Sequence, residues 1–196
     1  MVRDALLALQ RLAHRGATGA DPETGDGAGI LIQTPHEFFA NVCAQNQIKI
    51  PEYGKYGTGL VFLPREKENY DFCKNVFTQT VTRENQCFLG WRKVPISESA
   101  IGHLAKESLP VIEQPFIGQG PQIEEPDQFE RTLYLIRKTV EKVVLERKKK
   151  VNFFFHVASL SSRTFVYKGL LKPEQLPVFF PDLQDERIKS AICLIH

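Results

Sequence analysis

Five glycines fall between Gly16 and Gly29, in a run that reads His14-Arg15-Gly16-Ala17-Thr18-Gly19-Ala20-Asp21 and then Gly25-Asp26-Gly27-Ala28-Gly29-Ile30. That density lets the backbone take positive φ angles and come close to another segment or a ligand. An apolar helical pattern precedes the run and an apolar strand-like pattern follows it, so the chain has to turn here between two packed elements. Two acids, Asp21 and Asp26, sit among the glycines beside the cation of Arg15. Loops held by a rigid scaffold carry function. Composition therefore leaves two readings open, a ligand site or a conformationally demanding turn.

Around this run the periodicities alternate between helix and strand. Val2, Leu6, Leu9 and Ala13 recur at helical spacing and predict an opening amphipathic helix. It begins with no polar lead-in, as expected if something upstream had been cut away. Ile30 to Gln33 reads as a buried strand, and Thr34-Pro35-His36-Glu37 as a capped start of a helix into Gln45. Tyr56 to Leu63 is a second strand, stopped by Pro64. Tyr70, Cys73, Phe77 and Val81 mark a long helix over 66–84. Cys87 to Val94 is a strand, followed by a short helical stretch over 99–108. The run Val111 to Gly120 carries Pro115, which points to an edge strand or an irregular end. A longer helix opens at Glu125-Pro126-Asp127 with Phe129, Leu133, Ile136, Val140, Val143 and Val144 on one side. Its cationic end, Arg147 to Lys150, suits the helix dipole. Val151 to Leu160 and Arg163 to Lys168 predict a hairpin around Ser161-Ser162. A short helix starts at Lys172, and Ser190 to Ile195 is a final strand. Strand-to-strand neighbours favour layered sheets with helices outside over a doubly wound sheet.

Several function classes are disfavoured by composition. A net charge of +2 is too mild to argue for nucleic acid or an anionic membrane surface. No apolar run approaches the ~20 residues that span a bilayer. Cys43, Cys73, Cys87 and Cys193 are widely spaced, without a C-x-x-C pair or a histidine at ligand spacing, so no metal site is expected and each cysteine reads as a core side chain. With no leader pattern, the expected compartment is the cytoplasm or an organelle interior. The glycines precede a strand rather than follow one, which is the wrong order for a dinucleotide fingerprint, and no G-K-[ST] occurs.

Longer motifs carry a more specific signal. Leu12-Ala13-His14-Arg15-Gly16-Ala17, Gly19-Ala20-Asp21-Pro22, Gly25-Asp26-Gly27-Ala28-Gly29-Ile30 and Pro35-His36-Glu37-Phe38-Phe39 closely resemble the amidotransferase domain of the glutamate synthase large subunit. Ser159-Leu160-Ser161-Ser162-Arg163-Thr164, Val166-Tyr167-Lys168-Gly169 and Phe180-Pro181-Asp182-Leu183-Gln184-Asp185-Glu186-Arg187 match the same family, in family order. The resemblance implies an α+β fold of the N-terminal-nucleophile hydrolase type, with antiparallel sheets sandwiched between helical layers (αββα). It implies glutamine as substrate, hydrolysed to glutamate and ammonia, with the ammonia converting 2-oxoglutarate to a second glutamate. In the family that synthase step takes place in downstream domains of the same polypeptide, which carry FMN and an iron-sulfur cluster. No cofactor is expected in residues 1–196 themselves, and no nucleic-acid or membrane partner.

The family's mechanism uses a mature N-terminal cysteine whose thiolate attacks the carboxamide while its own amine serves as base, so one residue supplies both groups in register. That cysteine precedes the opening helix in the family, and Ile195-His196 matches only the start of the motif whose arginine grips the glutamine carboxylate. Residues 1–196 are accordingly expected to be part of one domain, lacking the nucleophile strand and the C-terminal portion, and to be inactive alone. No catalytic residue is assigned. Arg15 and Gly16 occupy the family's His-Arg-Gly motif and are the expected substrate-binding positions, with a purely loop-holding role for Arg15 as the competing reading. A non-catalytic binding or regulatory module that kept the fold is the alternative for the whole chain.

Overall fold

In a computed structural model, which describes residues 1–12 and 24–196, the opening periodicity is realised as helix α1 (Val2–Arg11), with Val2, Leu6 and Leu9 buried. Then follow β1 (Ala28–Gln33), α2 (His36–Gln45), β2 (Tyr56–Thr58), β3 (Val61–Leu63), α3 (Lys67–Arg83), β4 (Cys87–Lys93), α4 (His103–Glu107), β5 (Val111–Gly118) and α5 (Pro126–Lys148). The order closes with β6 (His156–Val157), β7 (Thr164–Gly169), α6 (Leu176–Phe179) and β8 (Cys193–Ile195), with short 3-10 turns at Glu98–Ala100 and Pro181–Gln184. Every strand pairing between these elements is antiparallel. The chain divides into two units. One comprises Met1–Phe39, Val94–Leu109 and Thr164–His196, and the other Ala40–Lys93 and Pro110–Arg163.

In the first unit β1 is the middle of a three-stranded sheet in the order β7-β1-β8. Register places Ile30 opposite Tyr167 and Ile32 opposite Phe165, so these four share a face, and all four are buried. Aromatic rings cover that face. Phe39 meets Phe165 edge-on with centroids 5.1 Å apart, Tyr167 packs on Phe180 at 5.2 Å, and Phe180 meets Phe179 at 4.8 Å. Tilted and edge-on contacts of this kind add to what area burial alone contributes. Thr34 was expected to cap α2, but its hydroxyl is buried and bonds to none of the described residues.

In the second unit β5 is the central strand. β4 pairs along one side of it, and β2 and β3 pair along the other in one continuous register, from Tyr56 opposite Gly118 to Leu63 opposite Val111. β6 extends the sheet beyond β3. One face packs on two helices: Val61, Leu63, Ile117, Val157 and Leu160 form a core with Cys73, Phe77 and Val81 of α3 and Phe129, Leu133, Ile136, Val140 and Val144 of α5. Val143 falls off that stripe and is exposed. Glu66 caps α3 by accepting from the backbone N–H groups of Glu68 and Asn69. Arg147 clips α5 to α3, donating to Glu68 Oε1 at 2.6 Å and Asn69 Oδ1 at 2.9 Å.

Two expectations are corrected here. Pro115 is not at an edge but in the middle of the central strand. Its missing N–H is tolerated because the single strand expected over Tyr56–Leu63 is interrupted at Gly59-Leu60, opposite Pro115, while the Thr58 hydroxyl donates to the Pro115 carbonyl at 2.8 Å. The sequence 151–168 does not fold back as a hairpin. β6 pairs with β3 and β7 with β1, because a backbone bridge between Thr58 and Ser161 keeps the chain on the larger sheet up to that point. The cysteines also differ from expectation. Cys43 and Cys73 are buried, but Cys87 is exposed and Cys193 half-buried, each being the first residue of a strand that pairs with a single other strand among the described residues, β4 and β8 respectively.

A side chain at position 59 has no room, since a Cβ there would lie 1.7 Å from the Ser159 carbonyl oxygen. Gly59→Ala is expected to destabilise the fold by at least ~2 kcal/mol in chemical denaturation. A change under ~0.5 kcal/mol would contradict this packing.

Candidate functional site

Arg15 and Gly16, the expected substrate-binding positions, lie outside the described residues, as do His14 and Asp21. The second half of the glycine-rich run is described, and its glycines meet the demands of the backbone there. A Cβ on Gly25 would lie 2.4 Å from the Leu171 carbonyl oxygen, and Gly27 has φ +142°, so backbone proximity and conformation together select glycine. Asp26 is exposed in this turn. The run delivers the chain directly into β1.

The larger sheet carries a polar constellation that sequence reasoning missed. On the face opposite α3 and α5, Arg92 Nη1 donates to Gln114 Oε1 at 3.0 Å, Gln114 Nε2 donates to Thr58 Oγ1 at 3.0 Å, and Thr58 Oγ1 donates on to the Pro115 carbonyl. All three residues are buried: Gln114 and Thr58 fully, and Arg92 to 3% exposure. The direction of every bond in this string is fixed, because a guanidinium only donates. Gln114 is the one residue whose amide is read at both ends. Polar residues within apolar strand sequence, Arg92 in Phe88-Leu89-Gly90-Trp91-Arg92 and Gln114 in Val111-Ile112-Glu113-Gln114, were the available signal.

Close by in charge terms are Cys43 and Tyr56. Burial pushes the Cys43 thiol up to about 12, with the Arg92 cation acting in the opposite direction. Burial likewise raises Tyr56, and Cys43 raises it further. Burial pushes Cys73 up to about 12 as well. Thiols held this far above neutrality are poor nucleophiles and poor metal ligands. Among the described residues no three His, Cys, Asp or Glu side chains come together as a metal site. No helix among them is long and apolar enough to cross a membrane.

A second polar cluster fixes the segment ending in Arg163. Glu130 of α5 accepts from Ser161 Oγ at 2.9 Å, and from the backbone N–H and the hydroxyl of Ser162, both at 2.6 Å. Arg163 pairs with Asp127 on the same helix. In the other unit the Phe180–Arg187 motif forms a structural corner. Tyr167 donates to Asp182 at 2.9 Å in the interior, and Asp185 takes three bonds from Arg187, two from the guanidinium and one from the backbone N–H.

The Arg187 guanidinium, bonded directly to Asp185, holds that carboxyl at about 2 against an ordinary value of 3.8. A lowered acid contributes stability above its unfolded value, and the contribution is lost as pH falls through the folded one. Asp185→Asn is therefore expected to cost about 1 kcal/mol near neutral pH, allowing for solvent screening, with the gap closing below pH ~4 and gone below pH ~2. A gap of the same size at both ends, in denaturation across that range, would contradict the assignment.

The chain matches the class-II glutamine amidotransferases over residues 1–196. It is 42% identical over 196 residues to the glutamate synthase (NADPH) large chain of Bacillus subtilis (strain 168), covering 100% of this chain and 12% of that protein. It is 38% identical over 196 residues to the chloroplastic ferredoxin-dependent glutamate synthase of Oryza sativa subsp. japonica, with the same coverage of 100% and 12%. With the glutamate synthase (NADH) of Saccharomyces cerevisiae it shares 36% identity over 206 residues, covering 100% of this chain and 9% of that protein. The chain thus spans about an eighth of the length of the first two of these relatives. Similarity that runs unbroken along the whole chain, on an α+β frame of antiparallel sheets and helices, assigns it to one family: the chain belongs to the class-II glutamine amidotransferases, whose fold is that of the N-terminal-nucleophile hydrolases.

Proposed function

We propose that residues 1–196 form part of the glutamine-hydrolysing domain of a glutamate synthase. The observation that carries this reading is the whole-chain similarity to glutamate synthases that differ in electron donor (NADPH, ferredoxin and NADH) yet share this region. Glutamine would be split into glutamate and ammonia, and the ammonia passed to 2-oxoglutarate by other domains of the same polypeptide. Arg15 and Gly16 would line the glutamine pocket in a supporting role. No described cysteine suits the role of nucleophile. Cys43 and Cys73 are buried as thiols, and every cysteine here has its amine in a peptide bond and so lacks the built-in base.

The nucleophile strand and the remaining portion of the domain would come from further sequence of the same polypeptide. The edge that the smaller sheet leaves free among the described residues is consistent with this. β8 reads Cys193-Leu194-Ile195, pairs with β1 on one side, and carries none of the charges or prolines that usually blunt an open edge. Leu194 and Ile192 are 62% and 59% exposed.

The residues present do not fit an iron-sulfur cluster, since such clusters need gathered thiolates, and here two of the four cysteines are buried as thiols and no ligand group forms among the described residues. An iron-sulfur cluster therefore belongs, on this reading, to other domains.

The test is glutamine hydrolysis by the intact polypeptide. Arg15→Ala is expected to lower kcat/KM for glutamine about 10- to 100-fold, the range for losing a hydrogen bond to a charged group. An Arg15→Ala protein with unchanged kcat/KM would remove Arg15 from the pocket, and a wild-type protein inert toward glutamine would favour the non-catalytic module.

A further inference from the structure

β1 and β7 pair in register from Ala28 opposite Gly169 to Gln33 opposite Thr164, so the chain leaves β1 and enters β7 at points about 5 Å apart. The two strands are the arms of a hairpin, and residues 34–163 stand where its turn would be. The entropy of closing a loop grows only slowly with its length, and loop tips of this kind are where whole domains are inserted.

The larger sheet within that connection is topologically complete. The crossover through α3 joins β3 to β4 with β5 between them, and the crossover through α5 joins β5 to β6 with β3 between them. Each crossover leaves a gap that a strand of the other fills, which is the βαββαβ arrangement. Neither half can complete its sheet alone. The segment that carries β6 follows β3 and β2 through a β-bulge: the Ala158 N–H bonds to the Leu60 carbonyl at 2.8 Å and Ser161 lies opposite Thr58, so Ser159 and Leu160 share the place opposite Gly59.

The core beneath α3 and α5 is drawn from Val61 to Leu160, and every residue of it belongs to the second unit. The smaller sheet is covered by Phe39, Phe179 and Phe180, all of the first unit. The connection between β4 and β5 departs from the module, since residues 94–109 belong to the first unit, where the Ser97 N–H bonds to the Phe179 carbonyl at 2.9 Å. Two cores built from separate residues are the basis of two cooperative units. The motifs that carry the family resemblance divide unevenly between them. Those over 12–17, 19–22, 25–30, 35–39, 166–169 and 180–187 fall within the residue ranges of the first unit, while the motif over 159–164 reaches into the second.

We propose that the second unit is a module inserted at the tip of the β1–β7 hairpin, which folds as its own cooperative unit and takes no part in the glutamine chemistry. The last clause rests on the glutamine reading above. The string of Arg92, Gln114 and Thr58 is then internal bonding of the module.

The experiment is hydrogen exchange by mass spectrometry on the intact polypeptide, with one variant in each core. Phe129→Ala lowers protection across α3, β5 and α5 about 100-fold or more, the loss usual for a fully buried aromatic, and leaves β1 and β7 within about 2-fold of wild type. Ile30→Val lowers protection in β1 and β7 about 2- to 10-fold and leaves α3 and α5 unchanged. Ile136→Val, a milder change in the same core as Phe129, gives the same pattern at about 2- to 10-fold and serves if Phe129→Ala does not accumulate. In rising urea, glutamine hydrolysis by the module variant persists after the module has opened and is lost together with the protection of β1 and β7. Protection lost by the same factor in both units overturns the proposal, as does hydrolysis lost in step with the module. A wild-type protein inert toward glutamine overturns the glutamine reading and the clause on chemistry, whereas the exchange pattern decides the module by itself.

Discussion

Pro115 has no N–H to give, yet it stands in the central strand of the five-stranded sheet, and much of that sheet is arranged around the vacancy. The neighbouring strand breaks opposite it at Gly59-Leu60, where the ladder would call on the missing donor. Thr58 turns its hydroxyl to the Pro115 carbonyl, which leaves the Thr58 oxygen to accept from Gln114, and Gln114 in turn accepts from Arg92. On the other side of the break, the bulged Ser159 carbonyl occupies the space that a side chain at position 59 would need. One absent donor thus connects a buried polar string, an obligatory glycine and a bulge.

The two faces of this sheet are specialised accordingly. The face against α3 and α5 carries the apolar core, which stabilises the unit at roughly 1.5–3 kcal/mol for each large side chain buried, and its buried carboxylate, Glu113, is bonded by Tyr70 and Lys74 of α3. The opposite face carries Thr58, Gln114 and Arg92, and burying a guanidinium is costly unless it is hydrogen-bonded. A fully satisfied polar string in such a setting rigidifies its surroundings. The smaller sheet uses aromatic contacts instead, Phe39 on Phe165 and Tyr167 on Phe180, with the Tyr167 hydroxyl satisfied by Asp182.

Periodicity made most of the elements legible in advance. The stripes Val2-Leu6-Leu9, Cys73-Phe77-Val81 and Phe129-Leu133-Ile136-Val140 declare helices because each repeats an apolar side chain at every turn, and those residues are buried. Pairing was less legible. Pro115 argued for an edge because its defect is local, whereas the compensation, a broken neighbour and a threonine hydroxyl, comes from residues far away in sequence. The same holds for Ser161-Ser162, which have the composition of a hairpin turn but are held by Glu130 from another element. At the candidate site, long motifs carried the family, while Arg92 and Gln114 stood out only as polar residues in apolar strands, because the hydrogen bonds that join them run across the sheet. Arg15 and Gly16 remain assignments of the motif alone.

The central claim is that this chain works as part of a glutamine-hydrolysing domain within a longer polypeptide. N-terminal sequencing with intact mass on the endogenous protein tests it most directly. The account predicts a species far larger than 22.3 kDa whose mature first residue is a cysteine with a free amine. A 22.3 kDa species beginning at Met1 would contradict it.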